Sequence, residues 1–489
     1  MVEAAAGLKL CKTAATAWAV RLRGVWYSAA LRSLSMRLSR VVVAMLLVPT
    51  LSFAQLPDVD ALVAPFVEAQ RIPGVAIGIM RGDKVIYARG FGFADLEQRT
   101  PVTAGSAFHV ASLTKQFTAM AVLTLADQGK LRLSDTLGTY FDELPAAPAS
   151  TTVLQLLNHT SGIEFPVGWA KAYQEVSAVT DRRDRGEAMK ALLGAVRLTF
   201  PAGARFRYNN QGFQLAGLLI ERVSGVSYAT FLQQHIFGPL KMADTSYIDE
   251  ARAISNRAFG YTVRDGVVQR ATNSQARAQL FGAGAVESTV ADLLTWQRAL
   301  RNNSIGNVSS FDRMTAPGKL TNGTDLPYGL GLFLLSADGS RKIDHWGASP
   351  GFRSHLAYYP ESQLTIVILA NLSNASTIVL ENRIALRLLG KQEPRFIDTK
   401  LTEPELQVYV GRYDVGDALI SQATRTIPVA TENMALVIDG ERVGPLGPDT
   451  FAPLDDPFRR YTFIRRDGRV YGLRMERTGF MAADATRIP

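Results

Sequence analysis

Segments that read as β-strands stand at both ends of residues 55–390, and helical periodicity fills most of the interval between them. Near the start, Gly74-Val-Ala-Ile-Gly-Ile-Met80 and Lys84-Val-Ile-Tyr-Ala-Arg-Gly90 flank Arg81-Gly82-Asp83, a hairpin by its turn chemistry. Phe91–Asp95 continues the extended run. Near the end, Tyr328–Leu335, His355–Tyr359 and Leu364–Ala370 return to strand-like text, and 375–390 reads as a closing helix. Strands at both ends with helices between them predict one sheet completed by both termini, an α+β fold in which an antiparallel sheet is flanked by helices and carries a helical insertion over 130–319. The amphipathic stretch 57–70 opens it. The seam between sheet and insertion is where a pocket is expected.

Ser112 and Lys115 sit at that seam. Val110, Phe117, Met120, Ala121 and Leu125 recur at helical spacing, and Gly129 stands where a left-handed residue would stop the helix. Ser112 is therefore placed in or just before the first turn, with Lys115 three residues on and on the same face. A serine hydroxyl needs a neighbouring base to act as a nucleophile, and a lysine serves if burial or another cation lowers its pKa. On its own, Ser-x-x-Lys also describes a capping serine and a solvated lysine.

The chain has 489 residues, enough for two or three domains, and its 47% hydrophobic content supports a large core. The net charge of +9 is concentrated at the N-terminus. Seven of the 53 Lys/Arg and one of the 44 Asp/Glu fall in residues 1–54, so the remainder carries 46 against 43, a net of +3. That balance and the lack of a basic run argue against a nucleic-acid partner. Residues 36–54 have a charged start, an apolar stretch and a small-x-small end at Ser52-Phe53-Ala54, the pattern of a secretory signal cleaved before Gln55. The expected setting is periplasmic or secreted, with an Arg-rich mitochondrial presequence as the rival reading. The apolar stretch is short for a membrane span, and none follows it, so no integral span is expected after signal removal. Cys11, inside the leader, is the single cysteine. The five histidines show no paired metal spacing, so neither a metal nor a disulfide is expected.

Residues 391–399 read as a linker, and 400–489 as a small β-sheet or barrel built from short strands at Tyr409–Tyr413, Ala435–Asp439, Tyr461–Arg465 and Val470–Met475.

Three further motifs follow Ser112-x-x-Lys115 in order. Leu156-Leu-Asn-His-Thr-Ser-Gly162 is a helix end running into a glycine turn, Tyr208-x-Asn210 precedes a helix over 213–223, and His345-Trp346-Gly347 follows a strand-like run. Alone, Tyr208 would read as a buried aromatic, Asn210 as a cap, His159 as a loop-holding residue, and His109, His235 and His355 as structural or surface groups. Together with Gly238-Pro-Leu-Lys-Met242, Gly282-Ala-Gly-Ala-Val-Glu-Ser288 and Tyr328-Gly-Leu-Gly331, they make residues 55–390 resemble the serine hydrolases of the class C β-lactamase and D-alanyl-D-alanine carboxypeptidase superfamily, which includes penicillin-binding proteins. The resemblance implies a β-lactamase/transpeptidase-like fold, and 400–489 resembles the β-domain often appended to such hydrolases.

The same resemblance implies roles. Ser112 would be the nucleophile that forms an acyl-enzyme. Lys115 would take or tune its proton, and Tyr208 would be the partner base, its phenol pKa lowered by a neighbouring cation. Asn210 would orient Lys115 and hold substrate. The backbone N–H groups of Ser112 and Ala348 would form the oxyanion hole, with Gly347 allowing close approach. No cofactor is implied. Trp346 replaces the usual Thr or Ser, and His345 replaces a lysine common in class C β-lactamases. Both changes weaken the case for a substrate carboxylate, which Arg353 would otherwise have to hold. The expected substrate is a small-molecule ester, amide or peptide, handled by an esterase or a D-amino-acid peptidase-like enzyme, with an apolar group stacked on Trp346. A β-lactamase or D-alanyl-D-alanine carboxypeptidase is the alternative, and a penicillin- or peptide-binding sensor with little turnover is the rival of another class. The expected state is a monomer or weak homo-oligomer.

Overall fold

The computed structural model describes residues 57–169, 171, 172, 175, 182–248, 256–272, 280–307, 309–337, 339–415, 426–477 and 483–488. The leader 1–54, with its signal segment, lies outside the described residues.

Seven antiparallel strands form the main sheet. In chain order they are β1 (Gly74–Arg81), β2 (Lys84–Asp95), β3 (Thr100–Pro101), β4 (Phe333–Ala337), β5 (Ser340–Ser349), β6 (Phe352–Tyr359) and β7 (Leu364–Ala370). Their spatial order is β4-β5-β6-β7-β1-β2-β3, so the two ends of the hydrolase segment meet where β1 pairs with β7, Val75 opposite Ala370 and Ile79 opposite Ile366. The sheet completed by both ends is thus observed.

Both faces of β1 and β7 are covered, and the period-two alternation of a strand sorts their side chains between two cores. Val75, Ile77, Ile79, Ile366 and Ile368 pack with Val59 and Val63 of helix α1 (Pro57–Ala69) and Leu380 and Ile384 of a closing helix, Thr377–Leu388. Ala76, Met80, Val367 and Leu369 face the other way, into the large core with Phe117 and Met120 of α2 (Thr114–Asp127) and Leu293 and Leu294 of helix Val290–Arg301. Helix α2 is buried nearly all round, from Thr114 through Leu123, which is the signature of a core helix rather than a surface one. Its tail reaches Gly129 at φ +70°, as the sequence predicts.

The interval 130–319 is less helical than expected. Tyr261–Arg264 and Val267–Arg270 form a hairpin through Asp265 (φ +51°) and Gly266 (φ +73°). An Asp-Gly pair between β-branched runs is the sequence signal for this turn, and it carries the two left-handed positions that a type I′ turn requires. The strand expected at Tyr328–Leu335 begins only at Phe333. Ahead of it the chain is tied to its neighbours. A Cβ on Gly329 would lie 2.1 Å from the Met314 carbonyl oxygen, and one on Gly331 would lie 2.7 Å from that of Lys115. The segment Asp344–Ser349, which the sequence places after a strand-like run, is itself the second half of β5.

Eight strands between Gly411 and Ile488 close into a barrel. Tyr413, Val429, Ile438, Phe451, Phe463 and Leu473 fill its interior. The stretch read as a linker lies against this barrel, with the Ile397 N–H donating to the Pro445 carbonyl at 2.9 Å. Phe458, fully buried, belongs to the same core as α1 and the closing helix. Tyr409 and Val410 precede the first barrel strand, after a short helix, Glu403–Gln407.

Gly329→Ala is expected to destabilise the protein by about 1–3 kcal/mol, because the added methyl meets backbone that cannot shift without moving the strand. Thermal unfolding checks this, and a melting temperature equal to that of the parent would refute it.

Candidate active site

Ser112 lies in a single 3₁₀ turn, Ala111–Leu113, that leads directly into α2. The turn is forced into place from two sides. The Val110 N–H donates to Val286 O at 2.9 Å, and the Ser354 hydroxyl of β6 donates to Val110 O at 2.7 Å. Between them Ala111 adopts φ +48°, a left-handed conformation that an alanine holds at a cost of about 1–3 kcal/mol. Gly347 of β5 makes the approach possible, since a Cβ there would lie 2.3 Å from Val110 O and from Ser354 Oγ. Ala348, the next residue, is exposed and stands in register with Arg353.

Lys115 is fully buried, and its Nζ has three neighbours at hydrogen-bond distance. Asn210 Oδ1 and the Ala283 carbonyl oxygen lie at 2.8 Å each, and Ser112 Oγ lies at 3.0 Å. Burial drives the Lys115 pKa well below the ordinary lysine value. A neutral amine has two N–H donors and one lone pair. Two of the three neighbours are carbonyl oxygens, which can only accept. The third is a hydroxyl, which can donate. Once it has lost a proton, the amine can donate to the two carbonyls and turn its lone pair to the Ser112 O–H. Asn210 orients the amine as expected. It is the first residue of a helix, Asn210–Ser224, and Asn209 caps that helix by accepting the Gln211 N–H at 2.7 Å.

Tyr208 is hydrogen-bonded to Ser112, but its phenol pKa does not fall. Burial pushes it up further than that hydrogen bond pulls it down. Lys115 lies 4.9 Å from the ring centre, but burial disfavours its charged form, which weakens it as the cation the expected phenolate needs. The raised pKa keeps the phenol protonated at neutral pH.

His345 is fully buried and does not reach Ser112. Its Nδ1–H donates to the Trp346 carbonyl oxygen at 2.8 Å, so its Nε2 accepts from the Tyr328 hydroxyl at 3.1 Å. Burial pushes its pKa down to about 3. Trp346 is half-buried and stacks on Phe333 at 4.2 Å, and Phe333 lies parallel to Tyr208 at 6.0 Å. The tryptophan is thus the outer member of an aromatic wall. The Arg353 guanidinium turns back to the hairpin end, donating to Phe352 O at 2.9 Å. Of the remaining histidines, His109 lies 2.5 Å from Ser349 Oγ, His235 packs on Phe231, and His355 pairs with Asp344.

The structure adds groups that the sequence reading passed over. The Ala283 carbonyl has no side-chain signal at all. Tyr328 belongs to the noted Tyr-Gly-Leu-Gly run, yet nothing local marks its hydroxyl as the partner of His345.

Residues 59–391 match the family profile described as Beta-lactamase, well over half of the chain. The chain belongs to the beta-lactamase family. Among its relatives are penicillin-binding protein 4* of Bacillus subtilis (strain 168), 28% identical over 319 residues that cover 62% of this chain and 69% of that protein. A D-aminopeptidase of Gluconobacter oxydans (strain 621H) is 28% identical over 324 residues, 66% of this chain and 60% of that protein, so the family member spans well under two thirds of that relative. Similar solved structures include the octameric penicillin-binding protein homologue from Pyrococcus abyssi, with a TM-score of 0.60 and 22% identity over 88% of this chain and all of that one. D-amino acid amidase from Ochrobactrum anthropi SV3 gives a TM-score of 0.56 and 23% identity over 68% and 99%. At these identities the structural likeness establishes the fold alone.

For this family member, kcat/KM is expected to rise with pH as Lys115 loses its proton. The half-point falls well below the ordinary lysine value because burial lowers that pKa, and the raised Tyr208 phenol leaves a plateau on the alkaline side. A pH–rate profile checks this. Activity that appears only near pH 10 would show that Lys115 is an ordinary charged lysine.

Proposed function

We propose that the protein hydrolyses an amide or peptide bond through an acyl-enzyme on Ser112, with Lys115 as base and Tyr208 as acid. The observation that carries this reading is the buried Lys115 side chain, whose Nζ lies 2.8 Å from two carbonyl oxygens and 3.0 Å from Ser112 Oγ, with no carboxylate beside it among the described residues and burial disfavouring its charged form. The Ser112 oxygen attacks the substrate carbonyl carbon while its proton passes to Lys115. Charge that develops on the substrate oxygen is held by the backbone N–H groups of Ser112 and Ala348, a type of contact whose loss typically costs about 2.7–4 kcal/mol. The carbon–nitrogen bond breaks as Tyr208 gives its proton to the leaving nitrogen, and the Lys115 proton then returns to Tyr208. Water attacks the acyl-enzyme by the same route in reverse, and Ser112 leaves with its proton restored.

Amide fits this site better than ester alone, because an amine leaving group needs a proton donor and the raised Tyr208 phenol is one. The relative named as a D-aminopeptidase supports the same choice. The groups around Ser112 and Lys115 favour a substrate without a free carboxylate beside the scissile bond. Burial disfavours the charged forms of Lys115, His159 and His345, and the wall beyond Tyr208 is aromatic. The leader at 36–54 supports export as the setting for this activity.

The test is intact-mass spectrometry of the protein and Ser112→Ala with a fluorophosphonate and a penicillin, alongside turnover of D-amino-acid amides and a D-alanyl-D-alanine peptide. The expected result is one fluorophosphonate adduct absent from the variant, and faster turnover of the amide. A lasting penicillin adduct with no amide turnover would replace the proposal with a penicillin-binding sensor. Faster release of C-terminal D-alanine would replace it with a carboxypeptidase.

A further inference from the structure

His159 is a buried titratable side chain of the site that the acyl-enzyme chemistry leaves without a task. Four observations bear on it. It is 2% exposed. Its backbone sits at φ +61°, in the left-handed region that a histidine seldom adopts. Its carbonyl oxygen accepts the Arg207 N–H at 2.9 Å, and its ring Nδ1 accepts the Asn209 N–H at 3.1 Å. Its ring centre lies 4.3 Å from that of Tyr208.

We propose that His159 is the positioning residue for Tyr208, gripping the backbone on either side of it while packing against its ring. The two amides that flank Tyr208 both end on one residue, so the Tyr208 Cα has little freedom to shift. The ring contact then restricts where the phenol can point. The left-handed φ is what lets the carbonyl and the imidazole of the same residue reach amides two positions apart. Accepting from Asn209 fixes the tautomer, because Nδ1 must carry the lone pair and Nε2 the hydrogen. That Nε2–H is buried and has no hydrogen-bond partner among the described residues. Leaving a buried donor unpaired costs about 1–3 kcal/mol, so an apolar residue would be the more stable choice if packing were the sole requirement. The Nδ1 acceptor is what an apolar side chain could not supply.

The inference rests on the proposed role of Tyr208 as the acid that protonates the leaving nitrogen, and the test separates the two claims. The kcat for a D-amino-acid amide, whose leaving nitrogen needs the acid, is measured for His159→Leu, His159→Asn, Tyr208→Phe and the double variant His159→Leu/Tyr208→Phe. Asparagine tolerates left-handed φ and carries Oδ1 where histidine carries Nδ1, so it keeps the acceptor. His159→Leu is expected to lower kcat about 10²-fold, the scale of a catalytic group misplaced by roughly 1 Å. His159→Asn is expected to recover most of that loss. In the Tyr208→Phe background His159→Leu should add almost nothing, because a residue acting through Tyr208 has nothing left to position. Losses that multiply in the double variant, or His159→Asn as slow as His159→Leu, would overturn the proposal. If His159→Leu fails to fold, His159→Gly replaces it, accepting the backbone conformation but carrying no acceptor. Equal rates for the glycine and asparagine variants would then overturn it. A Tyr208→Phe variant with full activity would instead remove the acid role of Tyr208, and with it the premise.

Discussion

The removal of Lys115 from water is the constraint on which the rest of the site depends. Burying an ammonium ion without an anion is costly, and proteins avoid the cost by letting the group lose its proton. Here the amine is buried with carbonyl oxygens and a hydroxyl rather than with a carboxylate. Asn210 comes from the helix behind Tyr208, and Ala283 from a turn in the insertion. Gly331 brings a third segment against the Lys115 carbonyl, where a side chain would not fit. Three segments distant in sequence are thus needed to keep one side chain dry and satisfied.

The strand that carries His345 to Ala348 is held from behind by a second buried cluster. Lys342 bridges Glu381 of the closing helix at 2.6 Å and Asp344 at 3.2 Å, and His355 Nε2 lies 2.9 Å from Asp344. The Tyr359 hydroxyl donates to the other Glu381 oxygen at 2.8 Å. All these side chains are fully buried apart from Tyr359, which is nearly so. Buried ion pairs contribute little net stability, because desolvation offsets the attraction, but they tolerate little displacement of their members. The consequence for the site is a fixed register of β5 against the closing helix, and so a fixed position for the backbone of Gly347 and Ala348.

Much of this was legible in the sequence because its signals are local. The hairpin at Gly82, the end of α2 at Gly129, and the pairing of Ser112 with Lys115 follow from turn chemistry and helical spacing. The sheet closed by both ends followed from strand-like text at each end of the segment. What the sequence withheld was set by long-range packing. Glycines at 329 and 331 read as strand interior, yet their lack of a side chain serves close approach to Met314 and Lys115, and so β4 starts late. The Tyr208 pKa was misread for a related reason. A neighbouring lysine suggests a lowered phenol, but the same burial that encloses the phenol removes the lysine's charge. The hairpin at 261–270 was legible, through Asp265-Gly266, and was absorbed into a helical interval by the helices on either side.

The exchange of a lysine for His345 has a consequence for how Lys115 stays neutral. A second cation in the site would disfavour protonation of Lys115 by repulsion. His345 is itself neutral, since burial and a donated Nδ1–H leave Nε2 as an acceptor for Tyr328. Desolvation is therefore what lowers the Lys115 pKa, with no fixed charge assisting. A pKa set by charge repulsion survives partial wetting, whereas one set by desolvation does not. On the proposed mechanism Lys115 is as good a base as the exclusion of water around it, and the aromatic wall of Phe333, Tyr328 and Tyr208 excludes water from one side. A substrate with an apolar acyl group would complete the enclosure from the other, so that binding and activation of the base become the same event. An ionised group in that position would bring water with it and raise the pKa it needs lowered.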